Sequence, residues 1–117
     1  DEKLAFQWYS KGAKQEHGKS LCAVGKCYKD GIGVEKDRKM AFQWFMRAAK
    51  QGNAEGQYHA GKALLKGKGT PADKAKAKSW LTKAVKNPKG GADILKKINT
   101  DAAAGDEDAI AIKQLIK

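Results

Sequence analysis

The sequence predicts an all-α protein, a right-handed α-solenoid of antiparallel helix pairs with a 36-residue repeat. Tryptophans recur at this spacing, at Trp8, Trp44 and Trp80. A glycine-containing stretch recurs as well, because KDGIGVEKD at residues 29–37 returns as LKGKGTPAD at residues 65–73. Between these stretches the apolar residues follow helical spacing. A fixed period of this length, carried by helices, is typical of repeat arrays.

The recurring glycines decide between two interpretations of the first stretch. Gly31 and Gly33 form a Gly-x-Gly motif, which glycine-rich phosphate loops also contain. A phosphate loop has no reason to recur in each unit, whereas the turn of a repeat must recur, and Gly67 and Gly69 stand one period later. Glycine also tolerates the left-handed backbone angles that end a helix and reverse the chain. We therefore expect a turn.

The period divides the chain of 117 residues, which we expect to form one domain, into four parts. We expect a half repeat at 1–17, which supplies only the second helix of its unit, and full repeats at 18–53 and 54–89. Asp37 is a good N-cap for the second helix of the first full repeat. We expect residues 90–117 to form two C-terminal helices that cap the array, since a solenoid needs a covered end.

The spacing of apolar and small residues supports the individual helices. In DRKMAFQWFMRAAKQGN the apolar positions are Met40, Ala41, Trp44, Phe45, Ala48 and Ala49. They fall on one face of a helix. In AEGQYHAGKALLKG, residues 54–67, small residues lie on one face, so a neighbouring helix can approach closely. NPKGG, residues 87–91, breaks the pattern before the last two predicted helices.

These units resemble the Sel1-like repeat family, a relative of the tetratricopeptide repeats. The shared features are small residues and Gly in the first helix, then G-x-G-V, an Asp, K-A, an aromatic and A-A-x-x-G, over about residues 1–90. LCAVGKCYKDGIGVEKDRKMAFQWFMRAAKQGN carries them, with Met40 as a departure, and the next unit departs at Thr70 and Pro71. The resemblance implies a tetratricopeptide-like α-solenoid with bacterial adaptor, assembly or virulence-linked roles. Some members serve as immunity proteins that neutralise secreted antibacterial effectors.

The net charge of +11 belongs to the body of the chain. Residues 1–88 hold nineteen Lys and Arg against eight Asp and Glu. Only Arg38 and Arg47 are arginines, whereas specific readers of phosphates and bases depend on the planar Arg fork. A lysine excess is typical of a solvated face, or of steering toward an acidic partner. The sequence pI of about 9.7 keeps nucleic-acid binding as an alternative.

Cys22 and Cys27 are the only cysteines, and we expect both to be free and mostly packed. Five residues apart on a helix, their Cα atoms lie about 7.5–9 Å from each other, beyond the span of a disulfide. The paired cysteines of some secreted relatives stand at other positions. No run of eighteen apolar residues predicts a membrane span.

The compartment is predicted from the start of the chain and from the resemblance. The chain begins inside a helical pattern, as it would after removal of an export signal or where a longer sequence has been cut. Relatives are often exported, which favours a periplasmic location, with a cytoplasmic one as the alternative.

No catalytic constellation is predicted, and we expect a protein that is not an enzyme and holds no cofactor or metal. Neither His17 nor His59 has a carboxylate nearby in sequence at a metal-binding or acid–base spacing. Cys22 would act as a nucleophile only beside a base, and no base is predicted there, which favours a packed thiol. The carboxylates are scattered and form no pair of the glycosidase kind.

The aromatic residues of the second helices are predicted to be core residues that hold adjacent units together. They are Phe6, Trp8, Tyr9, Phe42, Trp44, Phe45 and Trp80. The first helices then line the concave face. The predicted partner-binding residues are those that packing there does not need: Lys19, Cys22, Lys26, Lys29, Glu55, Tyr58, His59, Lys62 and Lys66. Tyr58 is the best anchor, since rigid aromatics dominate interface energetics. A solvated helix face is the alternative interpretation.

We therefore expect a non-enzymatic protein–protein interaction module that uses its concave face. Its expected partner is another protein with an acidic or mixed surface, and a secreted toxin or effector bound by an immunity protein is the specific version. A basic nucleic-acid-binding repeat protein is the alternative, and its affinity would fall steeply with salt for any sequence. A periplasmic adaptor associated with the cell wall is a further alternative.

Overall fold

The computed structural model describes residues 1–117 as seven α-helices and no strand. The helices are α1 Glu2–Lys14, α2 Gly18–Asp30, α3 Arg38–Lys50, α4 Ala54–Lys66, α5 Lys74–Lys86, α6 Gly91–Ala103 and α7 Glu107–Leu115. Each helix packs against the next one along the chain, so the predicted all-α solenoid of helix pairs is confirmed. None of the seven combines the length and apolar character that a membrane crossing requires.

An aspartate begins the second helix of each full repeat. The Asp37 carboxylate accepts a hydrogen bond of 3.1 Å from the Met40 N–H at the start of α3. One period later, Asp73 accepts a bond of 3.0 Å from the Lys76 N–H at the start of α5. Such a cap satisfies an otherwise unpaired amide and stabilises the protein by about 0.5–2 kcal/mol. The N-cap predicted at Asp37 is confirmed.

The first glycine of each turn ends the first helix of its repeat. Gly31 follows α2 with φ 71°, and Gly67 follows α4 with φ 70°. Both angles lie in the left-handed region, which glycine adopts without the steric cost that a Cβ atom would impose. The chain therefore reverses at these two positions, and the interpretation of KDGIGVEKD as a turn is confirmed.

The second glycine of each turn packs on the preceding unit. Gly33 and Gly69 have φ values of 73° and 80°. A Cβ atom on Gly33 would collide with the carbonyl oxygen of Glu2, and one on Gly69 would collide with that of Arg38. Each turn therefore lies directly against the first residues of the preceding second helix.

Within each full repeat, a glycine lets the two helices approach closely. Gly25 of α2 faces Phe45 of α3, and Gly61 of α4 faces Leu81 of α5. A Cβ atom would lie 2.7 Å from the Phe45 ring at Gly25 and 2.6 Å from Leu81 Cγ at Gly61. Both Phe45 and Leu81 are buried as a result. The close approach predicted for α4 is confirmed.

The core extends along the array as two clusters, one around α2 and α3 and one from α4 to α7. Phe42 and Trp80 are half-buried and pack against both clusters, so they connect them. The two predicted C-terminal helices are present as α6 and α7. Their buried residues in the second cluster are Ile94, Ile98, Ala109 and Ile112.

The prediction that every second-helix aromatic is a core residue is wrong for α1. Trp8 is 64% exposed and Tyr9 is 43% exposed. Tyr9 occupies the repeat position of Phe45 and Leu81, which are buried against the glycines of α2 and α4. No helix glycine packs against Tyr9 in this way, and both Trp8 and Tyr9 lie exposed. Phe6 of α1 packs edge-on against Tyr28 of α2, with ring centroids 5.7 Å apart.

Candidate functional site

The nine predicted partner-binding residues lie on α2 and α4, but they differ in exposure. The exposed ones are Lys19, Lys29 and Lys66. The half-buried ones are Lys26, Glu55, His59 and Lys62. The remaining two, Cys22 and Tyr58, are buried. The first helices therefore present a surface of lysines with one carboxylate and one imidazole.

The expectation that packing does not need Cys22 and Tyr58 is wrong. Their exposed fractions are 1% and 4%. The two residues occupy the same repeat position, 36 residues apart, on the side of each first helix that packs into the core. Tyr58 packs in the cluster that α6 and α7 complete, and burial raises the pKa of its hydroxyl. It is therefore part of the core and is not a surface anchor.

A cavity of about 210 Å³ lies where α2, α3 and α4 meet, and we call it the basic cleft. Phe42, Phe45 and His59 contribute its apolar and aromatic lining. Six cationic residues line it: Lys29, Lys36, Arg38, Lys62, Lys66 and Lys68. Two acidic residues, Asp30 and Asp108, also line it. The cleft therefore carries a clear excess of positive charge.

Ion pairs neutralise little of the excess positive charge in the basic cleft. The Lys66 ammonium lies 2.8 Å from an Asp108 carboxylate oxygen, which joins α4 to α7. This contact holds the pKa of Asp108 below its ordinary value. Lys68 lies beside Lys66 and Arg38, and their positive charges lower its pKa. Like charges in proximity of this kind favour the binding of an anionic group.

Sequence reasoning found only part of the basic cleft. Lys29, Lys62 and Lys66 follow from helical spacing on the first helices. Lys36 and Lys68 were missed because they lie in the glycine turns, whose path over the cleft depends on tertiary packing. The recurrence of the turn was a usable signal for Lys36 and Lys68, because residues in recurring turns lie at the same edge of every unit.

A second group of polar residues lies between α2 and α4, and we call it the interhelical cluster: Cys22, Lys26, Glu55 and His59. The Lys26 ammonium donates a hydrogen bond to Glu55. The Glu55 carboxylate is 3.9 Å from the His59 Nε2 atom. One ligand atom each of Cys22, Glu55 and His59 lies within 4.8 Å of the other two. The cluster thus joins the first helices of two successive repeats.

The environment sets the protonation of these groups. The His59 imidazole and then the Lys26 ammonium lower the pKa of the Glu55 carboxyl to about 2. Burial lowers the pKa of His59, and burial raises the pKa of the Cys22 thiol to about 12. At neutral pH the cluster therefore holds a carboxylate, a neutral imidazole and a protonated thiol. A thiol in this state is a weak nucleophile.

The expectation that no carboxylate stands near a histidine is wrong for His59. Glu55 precedes His59 by four residues, a spacing that places both side chains on the same face of a helix. The i, i+4 spacing was a usable signal in the sequence. No signal in the sequence predicted that Cys22 of α2 lies near His59, because this proximity depends on how successive units pack. Both cysteines are free and buried, as predicted.

The repeat register, the glycine turns and the paired helices are matched by a known family. The family model described as Sel1 repeat matches residues 1–17, 18–53 and 54–88. The chain belongs to the Sel1-repeat family. No curated protein matches it in sequence. The Sel1-repeat fold indicates a protein–protein interaction module of a generally non-enzymatic kind.

Solved Sel1-repeat structures resemble this chain over all or most of its length. The Sel1 repeat protein from Oxalobacter formigenes has a TM-score of 0.76 at 26% identity, over 100% of this chain and 49% of that one. A protective antigen present in uropathogenic Escherichia coli strains has a TM-score of 0.75 at 30% identity, over 86% of this chain and 20% of that one. This Sel1-repeat chain therefore spans half or less of the length of these two proteins.

A third structure supports the fold alone. Helicobacter pylori cysteine rich protein B has a TM-score of 0.73 at 24% identity, over 80% of this chain and 71% of that one. The Sel1-repeat chain has two free cysteines in α2, and neither forms a disulfide.

Proposed function

We propose that this Sel1-repeat chain is a non-enzymatic module that binds an acidic segment of a partner protein in the basic cleft. The observation that supports this most strongly is the charge of the cleft lining, six cationic residues against two acidic ones. Asp108 is already paired with Lys66, so most of the remaining positive charge faces solvent without a partner. Complementary charge of this kind mainly increases association rate and specificity.

The shape of the basic cleft favours an extended segment of a partner. Its volume of about 210 Å³ fits a few side chains and is small for a folded domain. Phe42 and Phe45 add an apolar and aromatic wall, so an apolar residue flanked by acidic ones would complement the lining. Arg38 offers the fork geometry that suits a carboxylate.

The more specific proposal is an immunity protein that neutralises a secreted antibacterial effector in the periplasm. The strongly charged lining of the basic cleft supports it, together with the resemblance to relatives with that role. We further propose that the array consists of a half repeat, two full repeats and a cap formed by α6 and α7. Burial of Ile94, Ile98, Ala109 and Ile112 against the last full repeat supports that cap.

A binding experiment with defined probes tests the proposal. A fluorescent peptide with a central leucine and flanking aspartates and glutamates is titrated with the intact chain at two salt concentrations. The cleft variant carries Arg38→Glu, Lys62→Glu and Lys68→Glu. The matched control carries three exposed α5 lysines changed in the same way, Lys74→Glu, Lys78→Glu and Lys86→Glu. We expect the cleft variant to lose about tenfold or more in affinity and the control to lose much less.

Two results would contradict this proposal. Equal losses in the two variants would mean that net charge, and not the cleft, attracts the peptide. Tighter binding of mixed-sequence DNA of equal charge, with a steep salt dependence in both variants, would favour the nucleic-acid alternative. If the peptide result holds, capture of a protein by the intact chain and by the control, but not by the cleft variant, identifies the partner.

A further inference from the structure

We infer that Cys22, Glu55 and His59 form a site for a borderline-soft divalent cation such as Zn²⁺. Their ligand atoms lie within 4.8 Å of one another, although the residues come from different repeats. The three donors are a thiol, a carboxylate and an imidazole. Thiolate, imidazole and carboxylate are the three ligand types that bind zinc in proteins.

Two helices fix the geometry of this site. Glu55 and His59 are one helical turn apart on α4, and their side chains point to the same side. Cys22 approaches from α2, which packs against α4. Two donors bound to one tetrahedral Zn²⁺ lie roughly 3.3–3.8 Å apart. The ligand atoms lie at most 4.8 Å apart, so closing the site needs a movement of no more than about 1–1.5 Å, which side-chain rotation can supply.

The surrounding residues orient the histidine. The Phe45 ring stacks on the His59 imidazole with centroids 4.7 Å apart and planes 21° apart. The Tyr58 ring contacts the same imidazole edge-on at 5.3 Å. These contacts hold the ring plane, which reduces the entropy lost when its nitrogen binds a cation. His59 also lines the basic cleft, whereas Cys22 and Glu55 do not, so the imidazole is shared by the cleft and the proposed site.

The charges balance when a divalent cation binds. Cys22 loses its proton to solvent as the sulfur–metal bond forms, and Glu55 binds as the carboxylate that now pairs with Lys26. Two anionic ligands neutralise the cation, so Lys26 loses its role as the partner of Glu55. The ammonium is therefore a competitor for the carboxylate, and its side chain is exposed enough to swing into solvent.

Metal titration of the intact chain tests this inference. The protein is stripped with a chelator, reduced with a phosphine and titrated with Co²⁺ and then Zn²⁺. We expect one equivalent to bind, with the thiolate-to-cobalt charge-transfer absorption that reports sulfur ligation. Cys22→Ser should abolish that absorption. His59→Gln and Glu55→Gln should each weaken Zn²⁺ binding by about tenfold or more.

The chain offers matched controls. Cys27→Ser removes the other buried thiol, and His17→Gln removes the other histidine, and both should leave binding unchanged. Lys26→Met should tighten Zn²⁺ binding several-fold because it removes the competitor, whereas Lys62→Met, at the same repeat position, should not.

Three results would overturn the inference. They are absence of the sulfur signature in the intact chain, its loss in Cys27→Ser, and unchanged Zn²⁺ affinity in both His59→Gln and Glu55→Gln. Circular dichroism establishes that each variant is folded. The latter two variants change half-buried positions, so they stay decisive if Cys22→Ser does not fold.

Discussion

The two full repeats, 18–53 and 54–88, share their packing residues and differ in the residues that face the next unit. Gly25 and Gly61 both admit a large side chain from the second helix. Ala41 and Ala77 are buried at matching positions of α3 and α5. The register of the repeat is therefore set by small residues, because only they allow the helices to approach at a fixed spacing.

The junctions between successive first helices show the difference. Between α2 and α4, Cys22 meets Glu55 and His59, and the result is a polar cluster. One period later, Tyr58 stands in place of Cys22, while Gly91 and Leu95 stand in place of Glu55 and His59. The junction between α4 and α6 is accordingly apolar, with Tyr58 in the core. The same arrangement of helices thus holds a polar cluster between α2 and α4 and an apolar core between α4 and α6.

The largest expected loss of stability is at the apolar junction between α4 and α6. Tyr58→Ala should lower the free energy of unfolding by about 3–5 kcal/mol, because it leaves a cavity between α4 and α6. Cys22→Ala, at the same repeat position, removes far less volume and should cost about 1 kcal/mol. Urea unfolding in the presence of a chelator measures both values. Equal losses would mean that Tyr58 does not hold the apolar junction.

An intermediate effect is expected at the shared glycines. Gly61→Ala should cost about 1–2 kcal/mol, because the new methyl meets both the side chain and the backbone nitrogen of Leu81. The three atoms nearest to a methyl at Gly25 all belong to the Phe45 ring and none to the backbone, so the gain in helix propensity should reduce the net cost of Gly25→Ala below about 1 kcal/mol. Thermal unfolding of both variants provides the comparison. A larger cost at Gly25 would show that the Phe45 ring cannot move.

The smallest effect concerns the end of α4. Lys66 pairs with Asp108, whereas Asp30 stands at the matching position of the first full repeat. The pKa of Asp108 is lowered in the folded protein, so its stabilisation is complete above its ordinary value of 3.8 and disappears as pH falls below it. Asp108→Asn should cost about 0.2–1 kcal/mol at pH 7 and nothing at strongly acidic pH. An equal cost at both pH values would exclude the ion pair as the cause.

The fold was predictable from the sequence because its determinants are local or recur at a fixed period. Asp37 begins a helix through a bond to a residue three positions later, and Gly31 ends one through its own backbone angle. The exposure of Tyr9 was not predictable from its aromatic character. Its burial would require a closely packed glycine like those that face Phe45 and Leu81, and the aromatic character of a residue does not show whether such a contact forms.

The candidate site was predictable only where single helices determine it. Lys62 and Lys66 follow from the helical face, and both line the basic cleft. Tyr58 was misplaced because helical spacing alone does not say which side of a first helix meets the next unit. The approach of Cys22 to His59 depends on a contact between repeats, which no local pattern encodes.

The second glycine of each turn affects how the array opens locally. Gly33 and Gly69 press on the first turns of α1 and α3, whereas Gly105, the next position in register, touches nothing. The amino-terminal turn of α5 therefore lacks the packing contact with a later glycine turn that the amino-terminal turns of α1 and α3 have. Local opening should therefore cost less there, and we expect the backbone amides near the start of α5 to exchange with solvent sooner than those near the start of α3.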